Sequence, residues 1–426
     1  MKPYSKMTKE ELESELEEVR RLHKKYCEMG LHLNMARGKP SGEQLDLAMG
    51  ILNAVDETTV MEMEGGLDAR NYGGLEGLEE TKQLIASMTG GDPSTVLVYG
   101  NSSLNMMFDT VNRAYVKGIC GATPWKDVKG AKFLCPAPGY DRHFAITEYF
   151  GLDMITIPMT EDGPDMDMVE DLVNNDPLVK GIWCVPKFTN PQGYVYSNET
   201  VHRFAHLRPA AEDFRIFWDN AYCVHYLYEE ILIPDLLSEA ADAGHPDMVF
   251  EFTSTSKVSF AGAGISAMLT SRANIDDALK TMSIQTIGHD KINQLRHIIY
   301  FENGKKIPEH MASHAAILRP KFEAVQFALE RDLEGLGVGT WTKPRGGYFI
   351  TYETLPGCAK RTVELAKEAG MVMTAAGAPY PYGKDPNDTT IRIAPSYPKL
   401  SEIVKASDVF TVCVRLAALE KLLGIR

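Results

Sequence analysis

The chain has 426 residues, 44% of them hydrophobic, and carries 58 acidic against 44 basic side chains for a formal net charge of −14. That length exceeds one ordinary core, so two domains are expected, and the surplus negative charge disfavours nonspecific attraction to nucleic acid or anionic membranes. No stretch approaches the roughly 18 consecutive apolar residues of a membrane span. The opening MKPYSKMTKEELESELEE has no apolar signal core, which gives the expectation of a cytoplasmic protein. Its seven cysteines are scattered without a CxxC pair and read as reduced.

Thr8 followed by Glu11 is a capping box, and Leu12, Leu16, Val19, Leu22 and Tyr26 recur at helical spacing, predicting a first helix that ends near Gly30. Gly38, Pro40 and Gly42 then impose irregular backbone, placing Arg37 and Lys39 on a loop that is either a linker or a site edge. The glycine-rich RNYGGLEG precedes a helix but follows no clear strand, which argues against a dinucleotide fingerprint. After the strand in DPSTVLVYG, the run GNSSLN opens a helix whose first amides, with Ser102 and Ser103, form either a phosphate site or an ordinary cap.

From residue 130 strand-like and helical stretches alternate through AKFLCPAP, MITIPM, VKGIWCVP, FRIFWD, MVFEF and ISAML. Such alternation predicts an α/β fold with a mostly parallel central sheet and crossover helices, ligands lying at the strand C-terminal ends. Two long helical stretches follow. WTKPRGGYFITYE, a helix, MVMTAAG, IRIAPSYP and a final helix then complete a smaller α/β unit. Residues 1–48 and 309–426 are expected to form this small domain, and residues 49–308 the large one. His310 and His314 stand four apart without a third ligand, and a helix-surface pair is expected rather than a metal site.

The stretch FRIFWDNAY ends an apolar run in Asp219 and Tyr222, and Lys257 follows the run MVFEF in the same way. A carboxylate, a phenol and an amine at neighbouring strand ends suit pyridoxal phosphate, which needs a protonated ring nitrogen, a hydrogen-bonded ring oxygen and a covalent link to lysine.

NPQG at Asn190, DNAY at Asp219, STSK at Lys257 and IRIAPSYP around Arg392 occur in this order. In these motifs the chain resembles the class I, fold-type I pyridoxal-phosphate aminotransferases along nearly its whole length. LNMARGKPS, RNYGGLEG, FLCPAPGYDRHF, KGIWCVPKFTNPQG and CAKR with YGKDP are similar to the divergent bacterial aspartate aminotransferases of subgroup Ic.

The resemblance implies that Lys257 binds the coenzyme and shuttles the substrate proton, that Asp219 pairs with the ring nitrogen, and that Tyr222 and Asn190 hold the ring oxygen. Tyr140 would stack on the ring, and Asn101, Ser102, Ser103 and Ser254 would hold the phosphate, with Tyr72 reaching over from a second subunit of a homodimer. Arg392, with Asn190 and Gly38, would bind the substrate, the guanidinium gripping its α-carboxylate bidentately. Two departures stand out. VSFAGAGISAM, after Lys257, lacks the arginine that relatives place there for phosphate, and around LKTMSIQTIG no second arginine awaits a substrate side-chain carboxylate. Arg37, Lys39 or Arg296 are candidates for that second role.

The activity implied is transfer of the amino group of L-aspartate to 2-oxoglutarate. Aromatic, alanine or 2-aminoadipate donors are the alternative, and a non-catalytic DNA-binding regulator is disfavoured by an N-terminus that offers a single acidic helix.

Overall fold

A computed structural model describes residues 2–425. Eight strands form the central sheet in the order Val96–Val98, Ser266–Leu269, Val249–Ser254, Arg215–Asp219, Val179–Cys184, Lys132–Ala137, Asp153–Thr160 and Gly163–Pro164. The five from Val249–Ser254 to Asp153–Thr160 run parallel, as expected. Ser266–Leu269 runs antiparallel to its neighbours on both sides. The link before it holds only the short 3-10 turn Thr255–Lys257 and no crossover helix, so the chain returns directly beside the strand it left.

Alternation along each strand divides the core. Phe133, Trp183, Phe217, Phe250 and Phe252 pack on one face of the sheet, while Leu134, Ile182, Ile216, Trp218 and Val249 pack on the other. Asp219 lies opposite Phe252 in the register, and Trp218 lies opposite Glu251. The two pairs therefore point to opposite faces.

A second core joins the two ends of the chain. Leu12, Leu16 and Val19 of the first helix, Lys9–Glu28, pack with Phe322, Tyr352 and Phe410. The predicted capping box is present: Thr8 Oγ1 accepts from the Glu11 amide at 3.2 Å and Glu11 Oε2 accepts from the Thr8 amide at 2.7 Å. A three-stranded antiparallel sheet, Gly339–Trp341, Ile350–Thr354 and Thr390–Ile393, carries Arg392. The strand expected over MVMTAAG is confined to Met371–Val372, which pairs in parallel with Leu33–Asn34.

One helix, Ile307–Leu333, connects the two cores. Ile307 and Met311 lie among Ala48, Leu84 and Phe301, whereas Leu318, Phe322, Val325 and Leu329 belong to the core built from both termini. Pro320 stands inside this helix. The histidine pair departs from expectation: His310 and His314 are buried, not on the helix surface. They share the inward stripe with Ile307, Met311, Ala315 and Leu318, so helical period carries them into the interior. His310 Nε2 donates to the Val258 carbonyl at 2.6 Å, and Gln44 Nε2 donates to His314 Nδ1 at 3.1 Å.

Phe217 is fully buried, with its ring 5.3 Å from that of Phe133 and 4.8 Å from that of Trp183. Phe217→Ala is expected to lower stability by about 3–5 kcal/mol, read from the shift of the urea unfolding transition.

Candidate active site

The strands' C-terminal ends meet the smaller sheet around a cavity of about 250 Å³. From the central sheet come Asp219, at the end of its strand, Tyr222 in the turn beyond it, Asn190, and Lys257 in the 3-10 turn after Val249–Ser254. The other wall supplies Gly38, Phe349 and Arg392. Elements distant in sequence thus complete one enclosure.

Asp219 is buried. Its Oδ2 accepts from His143 Nε2 at 2.9 Å, while Oδ1 has no hydrogen-bond partner. His143 is fixed in turn: its ring stacks on Trp183 at 4.4 Å and 8°. Trp183 Nε1 donates to Thr147 Oγ1, which donates to the His143 carbonyl. The sequence motif FLCPAPGYDRHF contains His143, but its role becomes visible only once the helix Asp141–Tyr149 is set against the strand bearing Asp219.

The Lys257 amine lies 4.7 Å from the centre of the Tyr222 ring. Burial lowers the lysine pKa, against the attraction of Asp219, which raises it. Burial also pushes the Tyr222 phenol well above its ordinary value. A group that stabilised the phenolate or took up the amine would relieve either cost. Arg392 donates to Asp141 Oδ1, Asn190 Oδ1 and Thr374 Oγ1, each at 3.2 Å, and its Nε has no partner. The Arg392 guanidinium stands 4.9 Å from the Phe349 ring centre. Gly38 is required at its position, because a Cβ there would lie 2.1 Å from Phe349 Cζ.

At the other end of the cavity, Ser102 caps the helix Ser103–Lys117 by accepting from the Asn105 amide, and Ser103 lines the cavity. Asn101 Nδ2 donates to the Gly262 carbonyl, while Ser254 Oγ donates to Ser256 Oγ, which donates to the Asn101 carbonyl. Tyr140 lines the cavity with its ring edge-on to His143 at 4.9 Å. Tyr72 does not line it and is 80% exposed.

Of the cations considered for a substrate side chain, Arg37, Lys39 and Arg296 are absent from the lining. Lys39 lies instead over the Tyr397 ring at 4.1 Å. Arg142, in the first turn of the Asp141–Tyr149 helix, does line the cavity. It follows Tyr140 and Asp141 directly, and only its position at a strand's C-terminal end could have marked it in the sequence.

These residues meet the demands of pyridoxal phosphate: a buried acceptor without a donor at Asp219 Oδ1, an amine within the same cavity, and a helix amino terminus at its end.

Because burial depresses the Lys257 pKa, the unfolded chain binds more protons between that lowered value and the ordinary 10.5, and stability rises with pH across this window. In coenzyme-free protein Lys257→Met is therefore expected to be more stable than the parent below the window. The advantage shrinks as pH approaches 10.5, which chemical denaturation at a series of pH values will measure.

Comparison with known proteins agrees with this geometry. The family model described as aspartate amino-transferase matches residues 7–426. A putative aminotransferase of Mycolicibacterium smegmatis is 46% identical over 397 residues, covering 92% of this chain and 93% of its own. The aspartate aminotransferase of Corynebacterium glutamicum is 44% identical over 406 residues, covering 95% and 94%. A crystal structure of an aspartate transaminase from Corynebacterium glutamicum superposes with a TM-score of 0.95 at 43% identity, over 97% of this chain and 98% of that one. The chain belongs to the aspartate aminotransferase family, among the class I, fold-type I pyridoxal-phosphate-dependent aminotransferases.

Proposed function

We propose that the protein transfers the amino group of L-aspartate to 2-oxoglutarate, giving oxaloacetate and L-glutamate, with pyridoxal phosphate as coenzyme. The observation that carries this reading is the unpartnered Asp219 Oδ1 in the same cavity as Lys257 and Arg392. Its support also includes the 44% identity to the Corynebacterium enzyme.

Bound pyridoxal phosphate supplies a carbonyl that captures the substrate amine and a protonated ring that withdraws the electron pair left at the substrate α-carbon. Asp219 Oδ1 accepts the ring N–H, and His143 keeps the carboxylate oriented for it. Tyr222 and Asn190 hydrogen-bond the ring oxygen, and Tyr140 lies against the ring. Asn101, Ser102, Ser103 and Ser254 hold the phosphate with the amides of the helix start, and Tyr72 joins them from the second subunit of a homodimer. Lys257 anchors the coenzyme and, once released, its Nζ takes the α-proton of the donor and later returns a proton to the acceptor. Its lowered basicity suits that exchange near neutral pH.

Arg392 exchanges its contact with Asp141 for the substrate α-carboxylate. Arg142, rather than Arg37, Lys39 or Arg296, reads the side-chain carboxylate. It is the remaining guanidinium among the lining residues, and this favours dicarboxylate donors over aromatic ones or alanine. Gly38 keeps Phe349 seated over Arg392. Residues 1–48 and 309–426 form the small domain that closes this side, residues 49–308 form the large domain, and the enzyme works in the cytoplasm.

The purified protein with pyridoxal phosphate is expected to show a visible absorption band that moves to shorter wavelength on adding L-aspartate. A band that is absent, or unmoved by aspartate, overturns the reading. Arg142→Ala is expected to raise KM for L-aspartate by roughly tenfold or more, the value of one charge-assisted contact, while leaving turnover of L-alanine little changed. Steady-state kinetics with both donors will show whether the two substrates separate.

A further inference from the structure

The groups that hold Arg392 differ in charge. Asn190 Oδ1 and Thr374 Oγ1 accept from its guanidinium and the Phe349 ring lies beside it, all of them neutral. Asp141 Oδ1, which accepts from Nη1 at 3.2 Å, belongs to a carboxylate, and among the described residues it is the only carboxylate paired with this guanidinium. Asp219 lines the same cavity but is engaged by His143 through Oδ2.

A count of guanidinium protons shows what a bidentate grip requires. Nη1 carries two protons, and it donates to both Asp141 and Asn190. Nη2 donates to Thr374 and keeps one proton in hand, while Nε is buried away from the cavity. A ligand carboxylate that takes one proton from each terminal nitrogen therefore needs Nη1 to release a partner. Asn190 is buried, whereas the Asp141 side chain is 36% exposed and lines the cavity. Asp141 also opens the helix Asp141–Tyr149, so its carboxylate stands at the positive end of a helix dipole even without Arg392. Repulsion between two carboxylates on one guanidinium adds to its displacement.

We propose that Asp141 is an internal competitor for the substrate α-carboxylate: it occupies Arg392 until an amino acid displaces it, and so sets substrate affinity without choosing among donors. The proposal rests on the reading of Arg392 as the α-carboxylate site. Every α-amino acid meets the same displacement whatever its side chain, so the effect is uniform, unlike that of Arg142. When the product departs, Asp141 returns to Arg392 and assists its release.

2-Methyl-L-aspartate has no α-proton and binds without turnover, so its calorimetric titration into the parent, Asp141→Asn and Arg392→Lys holoenzymes tests the proposal. Asp141→Asn keeps the side chain's shape and removes its charge, and is expected to bind roughly threefold more tightly or more, the scale of one partly exposed ion pair. Unchanged or weaker binding overturns the competition. In the same variant kcat/KM for L-aspartate and for L-alanine is expected to rise by a common factor, and a gain confined to one donor overturns the uniform effect. Arg392→Lys tests the underlying reading separately. Weaker binding there upholds Arg392 as the carboxylate site even where Asp141→Asn gains nothing, and unchanged binding overturns that reading and the proposal with it. Should Asp141→Asn not fold, crystals of the parent holoenzyme with 2-methyl-L-aspartate decide: an α-carboxylate on Arg392 with Asp141 turned away upholds the exchange, and Asp141 still bonded to the guanidinium overturns it.

Discussion

A single buried hydrogen bond, from His143 Nε2 to Asp219 Oδ2, sets the terms for the active site. A carboxylate withdrawn from water is costly unless its lone pairs are met. Here one oxygen is met by a histidine clamped against Trp183, and the other is buried without a donor. The clamp is tied back through Thr147 to the helix backbone, so the carboxylate has little freedom to rotate toward another donor. What lies beneath is a layer of aromatic rings, Phe133, Trp183, Phe217 and Phe252, and that layer keeps water from the closed side of the carboxylate. The second oxygen thereby stays without a donor in a site walled off from water.

The enclosure depends on chain ends as much as on the sheet. Arg392 lies on a strand of the smaller sheet, yet its guanidinium reaches Asp141 and Asn190, which belong to the central sheet's C-terminal edge. Gly38 and Phe349 complete the same wall. Behind the lysine turn His310 donates to the Val258 carbonyl and Gln44 donates to His314, and the two imidazole rings pack 4.7 Å apart, so the backbone next to Lys257 meets the N-terminal segment across this buried ring pair.

The sequence showed the central sheet and its catalytic edge clearly because each strand changes abruptly from apolar to polar at its end. FRIFWD into NAY and MVFEF into TSTSK place Asp219, Tyr222 and Lys257 where the folded chain puts them, around one cavity. Local signals such as the Thr8–Glu11 capping box were legible for the same reason: cause and effect lie within a few residues. His143 and Arg142 were not legible as site residues, since nothing local distinguishes them from other polar groups in a first helical turn. The burial of His310 and His314 was misread because a polar pair at helical spacing has no local sign of which way it faces; Met311, Ala315 and Leu318 on the same stripe decide it. The shortening of the MVMTAAG strand to two residues follows from its partner, since Leu33–Asn34 offers only two positions to pair with.

The helix Ile307–Leu333 is seated in one core by Met311 and in the other by Leu318 and Phe322. Pro320 cannot donate a backbone hydrogen bond to the carbonyl one turn before it, so the ladder loses a rung beside this crossing from one core to the next. Stiffness along the helix is therefore uneven. Its first turns are packed into the core of Ala48, Leu84 and Phe301 and its later turns into the core shared with the sheet of Arg392. The helix acts as a beam whose weakest section is where it enters the second core, beside Leu318.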